Sequence, residues 1–225
     1  QVPEDLLTHW RHPALLLSQT CGYPLVTLLA NVQTVGCFHY SAPGCEGRNY
    51  RSLLVAREAD GGKSLADFHG RRVACNSPDS QSGYNVLLKM IAPLSRDGRF
   101  FSTVAFSGSH RQSLRELQQG TADIAAIDCV TWALLQRHQP EALAGLTVIA
   151  HSPLAPGLPL ITSATTPAAT LELLREALQQ LVSDERYQPL CEALFICGYS
   201  DMRRADYQPL LAWREEAAAR GVVRL

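Results

Sequence analysis

Hydrophobic positions along this chain fall into a repeating order: a short apolar run, a polar turn, then an apolar stripe at helical spacing. Residues 14–17 predict a buried strand. The polar turn Ser18-Gln19-Thr20-Cys21-Gly22 follows, and Pro24 suits the first turn of a helix that runs through Leu29. Residues 32–40 and 50–57 predict extended segments, separated by the loop-forming stretch Ser41-Ala42-Pro43-Gly44-Cys45-Glu46-Gly47. Further strands are predicted at 72–75, 103–106, 123–128 and 146–150. After the first of these comes a helix with Val86, Leu87, Met90 and Ile91 on one face. After the second comes one carrying Leu114 and Leu117, closed by Gly120 as its C′ residue, and after the third one through Trp132 and Leu135. Residues 152–159 hold three prolines and a glycine and predict an extended connection, continued by strand-like residues 160–162. Thr166 ahead of Pro167 predicts an N-cap for a helix whose stripe is Leu171, Leu174, Leu178 and Leu181. The tail, 187–220, predicts mostly helix. Strands alternating with helices point to an α/β fold with parallel sheets.

Composition narrows the function classes. Of 225 residues, 46% are hydrophobic and 18% charged, which excludes disorder as the main state. Twenty basic side chains against twenty-one acidic ones leave a net charge of −1, so no basic excess recruits nucleic acid or an anionic membrane. An anion site would therefore be local, built from backbone N–H groups and hydroxyls. No apolar run approaches the roughly 18 residues of a membrane span. Position 1 is glutamine and no signal peptide precedes it, so the chain reads as processed or trimmed. The seven cysteines form no CxxC pair, and no zinc site or other metal site is expected. In an oxidising compartment Cys37 with Cys45 and Cys191 with Cys197 are the local pairings open to the chain; small buried hydrophobes are an equal reading.

Three strand-to-helix turns share one chemistry: 18–22, 77–83 and Ser107-Gly108-Ser109-His110. The first turn of a helix has free N–H groups and partial positive charge, glycine admits a ligand to the backbone, and serine adds a hydroxyl. Serine is also a common N-cap, which accounts for any one turn alone. Two such turns in consecutive βα units favour a shared oxyanion site at the carboxyl ends of the strands. His110 brings the titratable ring of that group, as a donor to an anionic oxygen. Tyr40 and Tyr50 could offer phenolic donors or simply pack in strands. Asp123 and Asp128 end one short strand, and Asp128, at the ligand end, suits either a ligand contact or a helix cap. A nucleophilic cysteine, Cys21 or Cys129 with His110, is the enzyme reading, but no GxSxG, HExxH or paired-cysteine motif supports it, and catalysis is not expected.

Taken together, Ser80-Gln81-Ser82-Gly83-Tyr84-Asn85, then Ser107-Gly108-Ser109-His110 with Ser113, then 120–128 resemble the phosphate/phosphite/phosphonate-binding substrate-binding proteins of ABC transporters. SQTCGYP at 18–24 and APGCEGRNYRS at 42–52 are similar to that family's first lobe, and the likeness runs from about Leu15 to Tyr207. The resemblance implies a two-lobed type II periplasmic-binding-protein fold with a ligand cleft between the lobes. Lobe I would hold 1–57 plus 153–225, and lobe II 58–152, with the family's first strand and helix expected to be lacking from lobe I. The serine-rich helix start maps onto Ser80, Gln81 and Ser82, the family's histidine onto His110 beside Ser109, its first-lobe aromatic onto Tyr50, and its acidic contact onto Asp128. The implied function is non-enzymatic: a periplasmic monomer, needing no cofactor, that delivers a small oxyanion to an ABC permease and binds no nucleic acid. The alternatives are the ligand-sensing domain of a receptor or regulator, and a binder of a sulfonate or thiamine precursor.

Overall fold

Two sheets and a short ladder between them carry the chain in the computed structural model, which describes residues 5–225. The strands in chain order are β1 (Ser18–Gln19), β2 (Gln33–Tyr40), β3 (Asn49–Tyr50), β4 (Ser52–Arg57), β5 (Arg72–Cys75) and β6 (Thr103–Phe106). They continue with β7 (Ile124–Asp128), β8 (Leu146–His151), β9 (Ala155–Pro156), β10 (Pro159–Thr162) and β11 (Ile196–Ser200). The helices are α1 (Leu6–Trp10), α2 (Gly22–Thr27), α3 (Val86–Ile91), α4 (His110–Gln119), α5 (Cys129–His138), α6 (Ala168–Ser183), α7 (Gln188–Ala193) and α8 (Pro209–Ala219).

The first lobe's sheet has the order β1-β10-β2-β11, and every pairing in it is antiparallel, where a parallel sheet was expected. The second lobe's sheet is mixed, with order β6-β5-β7-β4-β8: β6, β5 and β7 are parallel, and β4 runs antiparallel to both its neighbours. Between the sheets, β3 pairs with β9 through Asn49↔Pro156 and Tyr50↔Ala155. The chain thus crosses twice between lobes, and the crossings touch. A boundary drawn at residue 57 is corrected by this topology, because β4 is a strand of the second sheet and the first crossing ends before Ser52.

Strand periodicity explains why this sheet reads as near-continuous apolar runs. In β4, Leu53 and Val55 enter one core while Leu54 and Ala56 enter the other; in β7, Ala125 and Ile127 oppose Ile124 and Ala126. The first core also takes Leu25, Leu29, Tyr207 and Leu210, and the second Leu87, Ile91 and Phe100. In the first lobe, the α6 stripe does what its spacing predicts: buried Leu178, with Leu171, Leu174 and Leu181, packs on Val35, Leu160 and Tyr199. Gly120 closes α4 at φ 74°.

Other readings shift. The strand expected at 14–17 lies at Ser18–Gln19, and Leu16 and Leu17 are exposed. Thr166 bonds Thr162 through its hydroxyl instead of capping α6. The tail holds β11 between α7 and α8. All seven cysteines are free, so neither Cys37–Cys45 nor Cys191–Cys197 is bonded. Cys37 is buried in β2, and the Cys45 sulfur faces Cys129 instead.

One ion cluster ties the second sheet together. Buried Asp123, just ahead of β7, accepts from Arg57 Nη2 at 2.7 Å, from Arg72 Nη2 and Nε at 2.9 Å each, and from the Arg72 backbone N–H at 3.1 Å. These arginines hold its carboxyl well below the usual carboxylate range. Such stabilisation is present above the ordinary aspartate pKa of about 4 and is lost as pH falls through the lower folded value. Asp123→Asn should therefore destabilise the fold by about 2 kcal/mol at pH 7 and remove that part of the acid dependence. Thermal melts of both proteins from pH 7 to pH 3 check this; equal melting temperatures at pH 7 would reject it.

Candidate functional site

Three parallel strands of the second sheet each release the chain into a helix start. After β5, Ser80 caps a π-helical turn, Gln81–Asn85, that leads into α3; after β6, Ser109 caps α4; after β7, Asp128 caps α5. Ser80 Oγ accepts from the Gly83 N–H at 3.0 Å, which leaves its own hydroxyl proton to donate. Gly83 cannot carry a side chain here, since a Cβ would lie 1.9 Å from Asn76 Oδ1. The Asn76 carbonyl in turn accepts the Gly108 N–H at 2.9 Å, so one residue sets the spacing between two helix starts.

Ser82, His110 and Asp128 meet in front of those starts. His110 Nε2 is 2.8 Å from Ser82 Oγ and 3.5 Å from Asp128 Oδ2. The carboxylate favours the tautomer with its proton on Nε2. That N–H donates to Ser82 Oγ and leaves the serine proton to point into the cleft. Asp128 is also the cap of α5: it accepts the Thr131 N–H at 2.8 Å and the Thr131 hydroxyl. Capping and a cleft contact are thus compatible. Burial pushes the His110 pKa down, and the Asp128 charge opposes that without overcoming it. Lysine and arginine supply none of the hydrogen bonds to Ser82, His110 or Asp128 among the described residues.

The first lobe and the crossing strand face this group. Tyr50, in β3, is 2% exposed, and its buried hydroxyl has no partner. Burial raises its pKa well above the ordinary phenol value, with Cys21, Asp128 and Cys129 adding to the rise. Thr20 Oγ1, Gln81 Nε2 and His110 Nδ1 are likewise buried without partners. Cys21 caps α2; burial pushes its thiol up to about 11, while the Gln81 N–H and the Ser80 hydroxyl pull the other way. A cavity of about 210 Å³ lies beside this group, lined by Thr20, Cys21, Asn76, Ser80 and Gly108 and not by Ser82, His110, Asp128 or Tyr50.

Of the residues singled out in the sequence, the structure brings together Ser80, Gln81, Ser82, His110, Asp128 and Tyr50. Ser109 is not among them: it is exposed, and its hydroxyl oxygen accepts from the Gln112 N–H as an ordinary cap. The Tyr40 hydroxyl accepts from Gln19. A thiol–imidazole pair does not form, because His110 bonds Ser82 rather than Cys21 or Cys129. Asn76 and Ser52 were not singled out in the sequence, and Thr20 and Cys21 were not placed with this group. Thr20 and Cys21 sit in a turn already marked as a helix start. Ser52, whose hydroxyl donates to the Ser82 carbonyl at 2.8 Å, is hidden in a strand pattern.

The lowered His110 pKa has a signed consequence. A histidine kept neutral by the fold contributes stability that is present above its ordinary pKa of about 6.5 and is lost as pH falls through the folded value. The melting temperature should fall between pH 7 and pH 5, and less steeply in His110→Gln. Ring-proton NMR of the ligand-free protein should give a titration midpoint below 6.5. A midpoint at or above that value would reject the burial argument.

No curated protein matches this sequence. Among solved structures, PhnD1 from Prochlorococcus marinus in complex with methylphosphonate superposes with a TM-score of 0.78 at 14% identity, covering 95% of this chain and 82% of that one. A binding-protein component of an ABC phosphonate transporter from Pseudomonas aeruginosa gives 0.77 at 19% identity, over 91% and 69%. A Xanthomonas citri protein bound to ATP gives 0.70 at 14%, over 96% and 82%. At these identities the likeness shows the fold, a two-lobed periplasmic-binding-protein architecture. The sequence model of the family described as "ABC transporter, phosphonate, periplasmic substrate-binding protein" matches residues 3–207. The chain belongs to that family, the substrate-binding proteins that serve ABC transporters.

Proposed function

We propose that this protein captures a tetrahedral phosphorus oxyanion (a phosphonate, phosphite or phosphate) in the cleft in front of Ser80–Ser82 and His110, outside the cytoplasm, and passes it to an ABC permease. The observation that carries this reading is the set of buried donors without partners, Tyr50 Oη, Thr20 Oγ1 and Gln81 Nε2, around two helix starts. Buried polar groups are normally paired, and an unpaired one is costly unless a ligand completes it. Helix starts and hydroxyls suit an anion without needing a cationic side chain. Family membership and the methylphosphonate bound by the Prochlorococcus protein support the same class.

Asp128 sharpens the ligand class. A carboxylate facing an anion repels it unless the ligand brings a hydrogen to share. Phosphorus oxyanions that keep a proton near neutral pH can donate it to Asp128, and an amine-bearing phosphonate can donate an N–H; sulfate can do neither. The lobes would close about the β3–β9 ladder, with 51–152 moving against the rest.

Calorimetry against methylphosphonate, phosphite, phosphate, an aminoalkylphosphonate, sulfate and a thiamine pyrimidine tests this. Binding is expected for at least one phosphorus oxyanion and not for sulfate. Ser80→Ala should weaken binding about tenfold to a hundredfold, as expected for one hydrogen bond to a charged group of roughly 1.5–3 kcal/mol, and His110→Ala should weaken it by freeing the Ser82 hydroxyl that its Nε2–H orients. A purely structural Ser80 would lower the melting temperature and leave affinity unchanged. Failure of every phosphorus oxyanion between pH 5 and pH 8 would overturn the assignment.

A further inference from the structure

We propose that Cys45 and Cys129 are an oxidisable dithiol whose disulfide staples the first lobe's crossing loop to the start of α5, beside Asp128. Their sulfurs are 3.4 Å apart, whereas the residues are 84 positions apart in sequence. A disulfide would require the sulfurs to close by only about 1.4 Å. Backbone and side-chain contacts hold both ends in register. Gly44, at φ 99°, lies against Cys129, where an added Cβ would come within 3.1 Å of the Cys129 Cβ. Arg51 Nε donates to the Gly44 carbonyl at 3.2 Å, and the Cys129 N–H donates to the Arg51 carbonyl at 3.0 Å. One residue of the crossing therefore braces the loop and the helix start together.

The loop belongs to the first lobe on its other side. The Ser41 N–H donates to the Phe195 carbonyl at 2.7 Å, and the Arg48 carbonyl accepts the Gly157 N–H at 2.8 Å. The other five cysteines offer no such pair. Cys37 and Cys75 are buried within strands, Cys191 faces the Leu181 carbonyl, Cys21 faces the cleft, and exposed Cys197 in β11 has no sulfur within hydrogen-bond reach. A metal role for the pair is not supported, since no group of three or more His, Cys, Asp or Glu among the described residues is arranged to hold an ion.

Cys45 is the half-exposed member and Cys129 the buried one, which orders the chemistry. Cys45 is the more accessible sulfur but the harder of the two to deprotonate, because its hydrogen bond to Cys129 and its burial push its pKa up; once its proton is lost to base, it attacks one sulfur of a disulfide oxidant, such as oxidised glutathione or a disulfide-exchange protein. This forms a mixed disulfide and releases one reduced thiol. Cys129 loses its proton more readily than an ordinary thiol, because Cys45 shares a hydrogen bond with it. It then attacks the Cys45 sulfur and expels the second thiol. Two protons and two electrons leave the pair, and the oxidant's disulfide becomes two thiols. The inference relies on the extracytoplasmic location proposed above for its oxidant in the cell, but not on the identity of the ligand.

The test uses the purified chain without ligand, so its result is independent of the binding assay. Wild type is incubated with oxidised glutathione, alkylated and digested without reduction. A cross-linked peptide containing Cys45 and Cys129 is expected, with the other five cysteines alkylated once the digest is unfolded. Reduction with dithiothreitol should then lower the melting temperature by about 5–10 °C, because the bond closes a long loop in the unfolded chain. Cys45→Ser should melt at the same temperature with and without dithiothreitol. If Cys129→Ser does not fold, Cys45→Ser and Cys45→Ala, which alter the half-exposed sulfur, decide the matter. Full alkylation of both sulfurs after oxidant treatment, a cross-link to any other cysteine, or a wild-type melting temperature indifferent to reduction would each overturn the proposal.

Discussion

A carboxylate removed from water must find donors nearby, and strand β7 has one at each end. At the entry, Asp123 is met by two arginines; at the exit, Asp128 is met by the start of its own helix and by a histidine. The first solution is strong, rigid and closed, and it joins β4, β5 and β7 into one register. The second is weaker and open on one side. It orients His110, which orients Ser82. The arrangement of the cleft rests on this difference in how two identical side chains are satisfied across one five-residue strand.

A site assembled from hydroxyls, amides and helix starts differs in kind from one built on arginine. Its dipoles are fixed by the backbone, so little reorganisation accompanies binding, and the near-neutral chain provides no long-range field to raise capture rates. Discrimination then depends on geometry and on proton inventory, where each donor needs an acceptor and the lone carboxylate needs a donor. The unpartnered hydroxyl of Tyr50 sits in the strand that crosses between lobes, which places a cleft-facing group on the element about which the halves would turn.

The second lobe was largely legible in the sequence because each of its βα units repeats the same cues: an apolar run, a serine or aspartate cap, and a stripe. Val73, Ile124 and Leu114 occupy the places those cues predict. The first lobe was less legible. Strand β11 contains Cys197, Gly198 and Ser200, which give it no apolar alternation; it is held by pairing with β2 and by Tyr199, whose hydroxyl reaches the Val35 carbonyl. Strand β1 is only two residues long, too short for a period to register. Ser80 and Ser82 could be read from the motif, but the exposure of Ser109 could not, since a cap and a ligand contact look alike in one dimension. The pairing of Cys45 with Cys129 lay beyond reach for the same reason: contacts 84 residues apart are set by topology, not by neighbouring residues.

Asn76 gives the site a property that no single contact conveys. Its side chain bears on Gly83 and its carbonyl holds Gly108, so the two helix starts share one mechanical reference in the turn after β5. Such a part works as a calliper. The opening between its jaws is set by covalent geometry and hard contact, not by flexible side chains that could yield to a larger guest. A change of residue at Gly83 or Asn76 would therefore shift both helix starts at once.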